Sequence, residues 1–172
     1  MDASVGDRDQ EDAEAGGQHG EDEKERLDRN LAELLQELRV AIPGVQVLFA
    51  FLLTVPFTQG WSKVTSFQTD LYIASLLCSA AASAFLIAPS AIHRLDFEQG
   101  DKPVIVQISS VLAIIGLTFL ALAMISVVCL ITDFVYGGSV VVAYTVATAA
   151  VFVALWYAIP LVLRLRRRRD AT

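Results

Sequence analysis

Residues 138–169, GSVVVAYTVATAAVFVALWYAIPLVLRLRRRR, begin with 26 residues that carry no charge and end with five arginines. An uncharged run of this length is long enough to cross a bilayer, which takes about 20 apolar residues. Bases beside a span are retained on the cytoplasmic side of the membrane. The stretch therefore predicts a membrane-spanning helix followed by a basic cytoplasmic tail, residues 164–172. The tail arginines are expected to bind anionic lipid headgroups; they are Arg164, Arg166, Arg167, Arg168 and Arg169.

Three further stretches also lack charged residues and have the length of a span: residues 40–57, 71–92 and 104–131. Helices in a water-soluble core would carry a polar face, and these stretches carry none. The sequence therefore predicts an all-α protein. Its transmembrane domain, residues 40–163, is expected to be a four-helix bundle.

The distribution of bases predicts the orientation of the bundle. If both termini are cytoplasmic, 12 of the 13 Lys and Arg residues face the cytoplasm and Lys63 alone lies outside. The inverted topology would leave one base inside, against the usual cytoplasmic excess of Lys and Arg. We therefore expect a multi-pass protein of the bacterial cell (inner) membrane with both termini inside.

The segment before the first span divides into two parts. Residues 1–24 are rich in acids and poor in large apolar side chains, which predicts a disordered acidic tail. Residues 25–39, ERLDRNLAELLQELR, place leucines on one side of a helix and predict an amphipathic juxtamembrane helix. This helix is expected to pack on its own bundle or on a second copy in preference to a foreign partner or the lipid surface.

Small and polar residues predict where the spans pack together, because helices in lipid associate through close backbone approach and a few hydrogen bonds. Gly116 is the expected point of closest contact on the third span. Ser79 and Ser83 are expected polar contacts within the bundle, as is Gln107. Gln46 and Gln107 are candidates for bonding each other, bonding a backbone carbonyl or lining a small cavity.

The sequence contains no recognisable catalytic or nucleotide-binding motif. The patterns GxGxxG, GxxxxGK[ST], HExxH and GxSxG are all absent, and no Cys/His cluster has metal-binding spacing. The net charge of −6 comes from the N-terminal tail, so it indicates no nucleic-acid surface. We therefore expect no catalytic residues, no cofactor, no metal and no nucleic-acid partner, and the protein is predicted not to be an enzyme.

Three stretches of this chain resemble an uncharacterised bacterial family of four-helix integral membrane proteins. They are residues 33–40, ELLQELRV, residues 44–57, GVQVLFAFLLTVPF, and residues 88–94, APSAIHR. The resemblance covers about residues 25–165. The family is a domain of unknown function, and some members carry an automatic label as sodium:proton antiporters. This chain lacks the buried carboxylate that such a carrier needs.

The resemblance draws attention to a group of residues that the predicted topology places toward one membrane face. This candidate functional cluster consists of Glu37, Arg39, Gln46, His93 and Arg94. A ligand or regulatory site is one interpretation of the charged residues there, and a solvated polar connection between spans is the favoured one.

Two functions from different classes remain open at this point. The preferred hypothesis is a non-enzymatic membrane component that acts through association with itself or with another membrane protein. The alternative is a small oligomeric channel or an ion or solute transporter.

Overall fold

The computed structural model describes the backbone of residues 5–95 and 102–170. Side chains are described in the same ranges, except for residues 5–24 and scattered later positions that include His93, Arg94, Arg164, Arg167 and Arg168. Within these ranges the chain is almost entirely helical and contains no strand, which confirms the predicted all-α class.

The elements follow one another with short connections. In chain order they are α1 (Val5–Thr54), two 3-10 turns (Val55–Phe57 and Gln59–Lys63), α2 (Ser66–Leu95), α3 (Lys102–Val135), α4 (Ser139–Val153), a π-helical turn (Ala154–Ala158) and α5 (Ile159–Asp170).

The prediction of four potential spans is confirmed. Four helical stretches within the described residues are long and apolar enough to cross a membrane: Ala32–Phe57, Ser66–Ile92, Val104–Val135 and Ser139–Ala158. The first begins eight residues earlier than the uncharged run and includes the charged residues Glu33, Glu37 and Arg39 of the amphipathic segment.

Helix α1 is continuous where the sequence predicts separate segments. Its backbone is helical from Val5 and continues through Pro43 into the first span. The predicted disordered tail, residues 1–24, overlaps the beginning of α1 as these bounds give it. The side chains of residues 1–24 lie outside the described residues, so the predicted division of the chain at residue 24 stays a prediction.

The core is formed by α1, α2 and α3. Helix α2 packs along α3, and α1 packs on both. Five buried residues from these helices form one apolar cluster: Leu38, Val45, Ala82, Leu86 and Ala113. Leu34 packs against this cluster as well. Part of the leucine side of the amphipathic segment is therefore occupied by the protein's own bundle, as the preferred interpretation of that segment expects.

The closest approach between α2 and α3 occurs at Gly116. A Cβ atom placed on Gly116 would lie 2.8 Å from two side-chain atoms of Leu86 and 3.2 Å from the Leu86 backbone nitrogen. No side chain fits there, so glycine allows α3 to approach α2 at this level. The predicted contact point on the third span is confirmed.

The fourth span lies at the side of this three-helix core. Gly137 and Gly138, both at φ 66°, reverse the chain between α3 and α4 in a conformation that glycine adopts readily. Among the described elements, α4 packs on α3 and on the helical turn that continues it, and it contacts neither α1 nor α2. Val141 is the buried residue of α4. Most of the α4 surface therefore faces outward.

Candidate functional site

The ends of α2 and α3 that lie near the 3-10 turns are joined by a polar clamp. The clamp consists of Thr65, Gln68 and Asp133. The Gln68 side chain donates from Nε2 to Oδ2 of Asp133 at 2.8 Å and accepts from the Thr65 backbone N–H at 3.1 Å. The Gln68 backbone N–H donates to Thr65 Oγ1 at 3.2 Å. Thr65 and Gln68 thus form a capping box at the start of α2, which satisfies backbone donors that the first turn leaves free.

Burial gives this clamp its structural importance. Gln68 is 6% exposed, so its amide has little access to water and depends on protein partners. The acceptor Asp133 lies near the last turn of α3, on the element that follows α2 in the chain. The hydrogen bond therefore ties the two most closely packed helices together at the end where both meet the 3-10 turns.

An apolar cavity lies beside the clamp, between the end of α1, the 3-10 turns and α3. Its volume is about 240 Å³, and its lining includes Leu52, Val55, Trp61, Leu130 and Phe134. Trp61 packs edge-to-face on Tyr72 with ring centroids 4.9 Å apart, which attaches the second 3-10 turn to α2. The volume is below the roughly 300–1,000 Å³ of drug-sized ligand sites. The cavity can accept an apolar group such as part of a lipid acyl chain.

The structure describes the side chains of three of the five members of the candidate functional cluster. Glu37 and Arg39 are exposed on α1, on either side of buried Leu38. Gln46 lies seven residues beyond Arg39, about 10 Å farther along the helix. The side chains of His93 and Arg94 lie outside the described residues, so a joint site with the α1 charges stays a prediction.

The two amides predicted at the bundle contacts both lie on its surface. Gln46 on α1 and Gln107 on α3 are exposed, and neither has a hydrogen-bond partner among the described residues. The neighbouring residues Val45 and Ser109 face the core instead. A Gln46–Gln107 bond, one of the three interpretations of these amides, is absent among the described residues, because each side chain points away from the helices that its neighbours contact.

The serines of α2 lie in the bundle but bond to their own helix. Ser75 and Ser79 are fully buried, and Ser83 is half-buried. Their hydroxyls donate to the carbonyls of Tyr72, Leu76 and Ser79, respectively, at 2.8–2.9 Å. These short side chains therefore allow close packing without forming a described bond between helices.

One hydrogen bond does join α3 to the fourth span. Tyr157, in the π-helical turn, lies 2.6 Å from Thr118 of α3, oxygen to oxygen. Thr118 Oγ1 also donates to the Ile114 carbonyl at 2.8 Å. Because a hydroxyl has one proton, the Tyr157 hydroxyl is the donor toward Thr118 when Thr118 donates to Ile114.

The basic tail continues the fourth span as helix α5. Arg166 and Arg169 are exposed there. Arg164, Arg167 and Arg168 have side chains outside the described residues. The binding of these arginines to anionic headgroups stays a prediction.

Sequence reasoning missed the two most specific polar contacts in the structure. A signal for Gln68 was present, because Thr65-Ser66-Phe67-Gln68 before an apolar run matches the capping-box pattern. The bond from Gln68 to Asp133 joins residues that are 65 positions apart and has no local signal. The Thr118–Tyr157 contact likewise has no local signal.

Comparison with known families gives one match. A family model described as a family of unknown function, DUF6328, matches residues 20–160. The chain belongs to this family. The match covers all four potential spans of this DUF6328 member, together with the clamp and the exposed amides. No curated protein and no solved structure matches the chain.

Proposed function

We propose that this protein is a non-enzymatic integral membrane component that acts by associating with another membrane-embedded chain. One observation carries the proposal: Gln46 is an exposed amide in a span and has no partner in the described structure. Polar side chains within a bilayer favour contacts that provide them with hydrogen bonds. The exposed surface of α4 supports the proposal, because the fourth span packs on α3 alone among the described elements.

Native membranes provide the direct test of association. The full chain is extracted with a polymer that keeps the surrounding lipid, and the mass of the particles is measured together with their protein content. The expected result is particles that contain this chain together with at least one further polypeptide, identical or different. Particles that contain a single copy and no other protein would overturn the proposal.

The proposed orientation has both termini on the cytoplasmic side of a bacterial inner membrane. It is supported by the arrangement of bases, 12 of 13 on that side, and by exposed Arg166 and Arg169 at the end of the fourth span. A thiol-reactive probe that does not cross membranes tests it on cysteines added at residues 170 and 62. Labelling of residue 62 alone in intact cells is expected, and labelling of residue 170 contradicts the orientation.

Contact with anionic headgroups is the proposed role of the terminal arginines. Each base near an anionic leaflet contributes about 1 kcal/mol at moderate ionic strength. The cysteine at residue 170 therefore should be less accessible to a soluble probe in vesicles that contain phosphatidylglycerol than in vesicles of phosphatidylcholine alone. Equal accessibility in both vesicles, at low and at high salt, would contradict the role.

The alternative function, a channel or transporter, makes a different prediction for the same preparations. Vesicles that contain the protein would then conduct an ion or solute, and substitution of Gln46 or Gln107 would change the flux. The proposed association predicts no difference in ion or proton flux between vesicles with protein and empty vesicles.

A further inference from the structure

We propose that the associated chain is a second copy of this protein, and that the two α1 helices pack in parallel with Gln46 of each copy hydrogen-bonded to Gln46 of the other. This inference rests on the proposed function, because it names the partner and the contact surface of that association. Four properties of Gln46 lead to it: its depth, its reach, its surroundings and its chemistry.

The depth of Gln46 separates its amide from water. Gln46 lies seven residues after Arg39, the last charged residue before it, and eleven residues before Phe57, where the first potential span ends. At 1.5 Å per residue these separations are about 10 and 17 Å. A glutamine side chain has only two methylene groups and cannot cover either distance to reach the headgroups. The amide therefore needs a hydrogen-bond partner within the hydrocarbon region.

Gln107 provides an internal comparison, because it is a second exposed glutamine on another span. It lies three residues after Val104, where the third potential span begins. Side chains on a helix point toward its N-terminus, which for α3 is the nearby span end. Gln107 can therefore place its amide near the headgroups, as long polar side chains near span ends do. Of the two exposed amides, Gln46 is the one that lies too far from the headgroups for its side chain to reach water.

The surroundings of Gln46 suit a second helix. Pro43, Gln46, Ala50 and Leu53 are all exposed and recur every three or four residues, so they form one stripe along α1. We call these four residues the Gln46 stripe. It is turned by about a third of a revolution from the side that carries buried Val45. A second helix can therefore contact the stripe without displacing α2 or α3.

The chemistry of the amide favours an identical partner. All copies of a membrane protein share one orientation, so two parallel α1 helices bring both Gln46 residues to the same depth. Each amide offers a donor and an acceptor, so the pair satisfies itself by two reciprocal hydrogen bonds about a two-fold axis. A lipid acyl chain offers neither a donor nor an acceptor at that depth.

The test compares dimerisation of the full purified chain in vesicles of phosphatidylethanolamine and phosphatidylglycerol. Single-molecule photobleaching counts copies at increasing protein density for the wild type, Gln46→Leu and Gln107→Leu. We expect Gln46→Leu to weaken dimerisation at least about tenfold, because two reciprocal bonds are lost. Gln107→Leu should change it less than about twofold. Helical content and thermal stability, measured in the same preparations, should be equal for the two variants.

Cross-linking locates the contact independently of Gln46. Ala50→Cys adds a thiol to the Gln46 stripe one turn from Gln46, and Ala147→Cys adds one to an exposed position on α4. Oxidation should yield covalent dimers of Ala50→Cys above the background of wild type, which contains Cys78 and Cys129. Ala147→Cys should remain at that background.

The outcomes separate this inference from the proposed function. If Gln46→Leu dimerises as strongly as the wild type, the α1 contact is overturned and association is left standing. Cross-linking of Ala147→Cys without cross-linking of Ala50→Cys leads to the same conclusion. Purified wild type that stays monomeric at every density, while native particles contain another polypeptide, overturns the second copy as partner. Native particles with one copy and no other protein overturn both proposals.

Discussion

Gln68 and Asp133 form a 2.8 Å hydrogen bond that joins the first turn of α2 to the last turns of α3. The same Gln68 closes the capping box with Thr65, so one buried side chain satisfies the start of one helix and contacts the end of another. Gln68 therefore couples the local structure of α2 to the packing of α2 on α3.

Loss of the Gln68 amide should destabilise the fold. Gln68→Leu removes the cap and leaves the Asp133 carboxylate without this donor, which should lower the free energy of unfolding by about 1–3 kcal/mol. Unfolding by sodium dodecyl sulfate in mixed micelles, followed by circular dichroism, measures the change. Gln59→Leu is the matched control, because Gln59 is exposed in the neighbouring 3-10 turn. Equal stability of the two variants would contradict the role of the clamp.

Gly116 should not tolerate a methyl group. In Gly116→Ala the new Cβ would lie 2.8 Å from Leu86 side-chain atoms, and separating α2 from α3 to relieve this contact should cost about 1–3 kcal/mol of stability. Gly44→Ala is the control in the monomer, because a Cβ there meets nothing within 4 Å. Its expected effect is neutral or slightly stabilising. In a Leu86→Ala background, Gly116→Ala should cost less stability than it does in the wild type, and an equal cost in both backgrounds would argue against this contact as its cause.

The attachment of the fourth span should depend on Tyr157. Tyr157→Phe removes the hydroxyl that lies 2.6 Å from Thr118, and hydrogen bonds between membrane helices contribute about 0.6–1.7 kcal/mol. Because α3 is the core helix that α4 contacts among the described elements, the effect should be concentrated in α4. Hydrogen exchange should therefore become faster in α4 and stay unchanged in α2. Tyr144→Phe, at an exposed position on α4, controls for loss of a tyrosine hydroxyl; faster exchange in both variants would refute the specific role of Tyr157.

The leucine side of the amphipathic segment should contribute to the stability of the folded monomer. Leu38 is 4% exposed and belongs to the apolar cluster of α1, α2 and α3, so Leu38→Ala should destabilise the monomer by about 2–5 kcal/mol. Leu77→Ala is the matched control on the outer side of α2, where the leucine is 63% exposed. Its expected effect is much smaller. Detergent unfolding measures both, and a reduction in association by Leu38→Ala at unchanged monomer stability would contradict the assignment.

The spans were predictable because crossing a bilayer depends on composition and length, which the sequence displays directly. The contact at Gly116 was predictable as well, since glycine in a span allows close backbone approach whatever lies opposite. The exposure of Gln46 and Gln107 was not. In a soluble helix the polar side marks the surface, but in lipid the outer side is as apolar as the core, so the pattern along α1 or α3 does not show which side faces the bundle.

The sequence by itself determined that this chain is helical, that four of its stretches have the length and composition of spans, and that its charges lie outside them. Each of these properties follows from local composition, because a single segment can cross hydrocarbon on its own only as an apolar helix, which satisfies its backbone hydrogen bonds internally. The tertiary structure decided that three helices form the core while the fourth packs on α3. It also decided that Gln68 reaches Asp133 and that Gln46 faces outward. These relations depend on how helices distant in the chain are rotated about their axes, and that rotation is determined by packing between them.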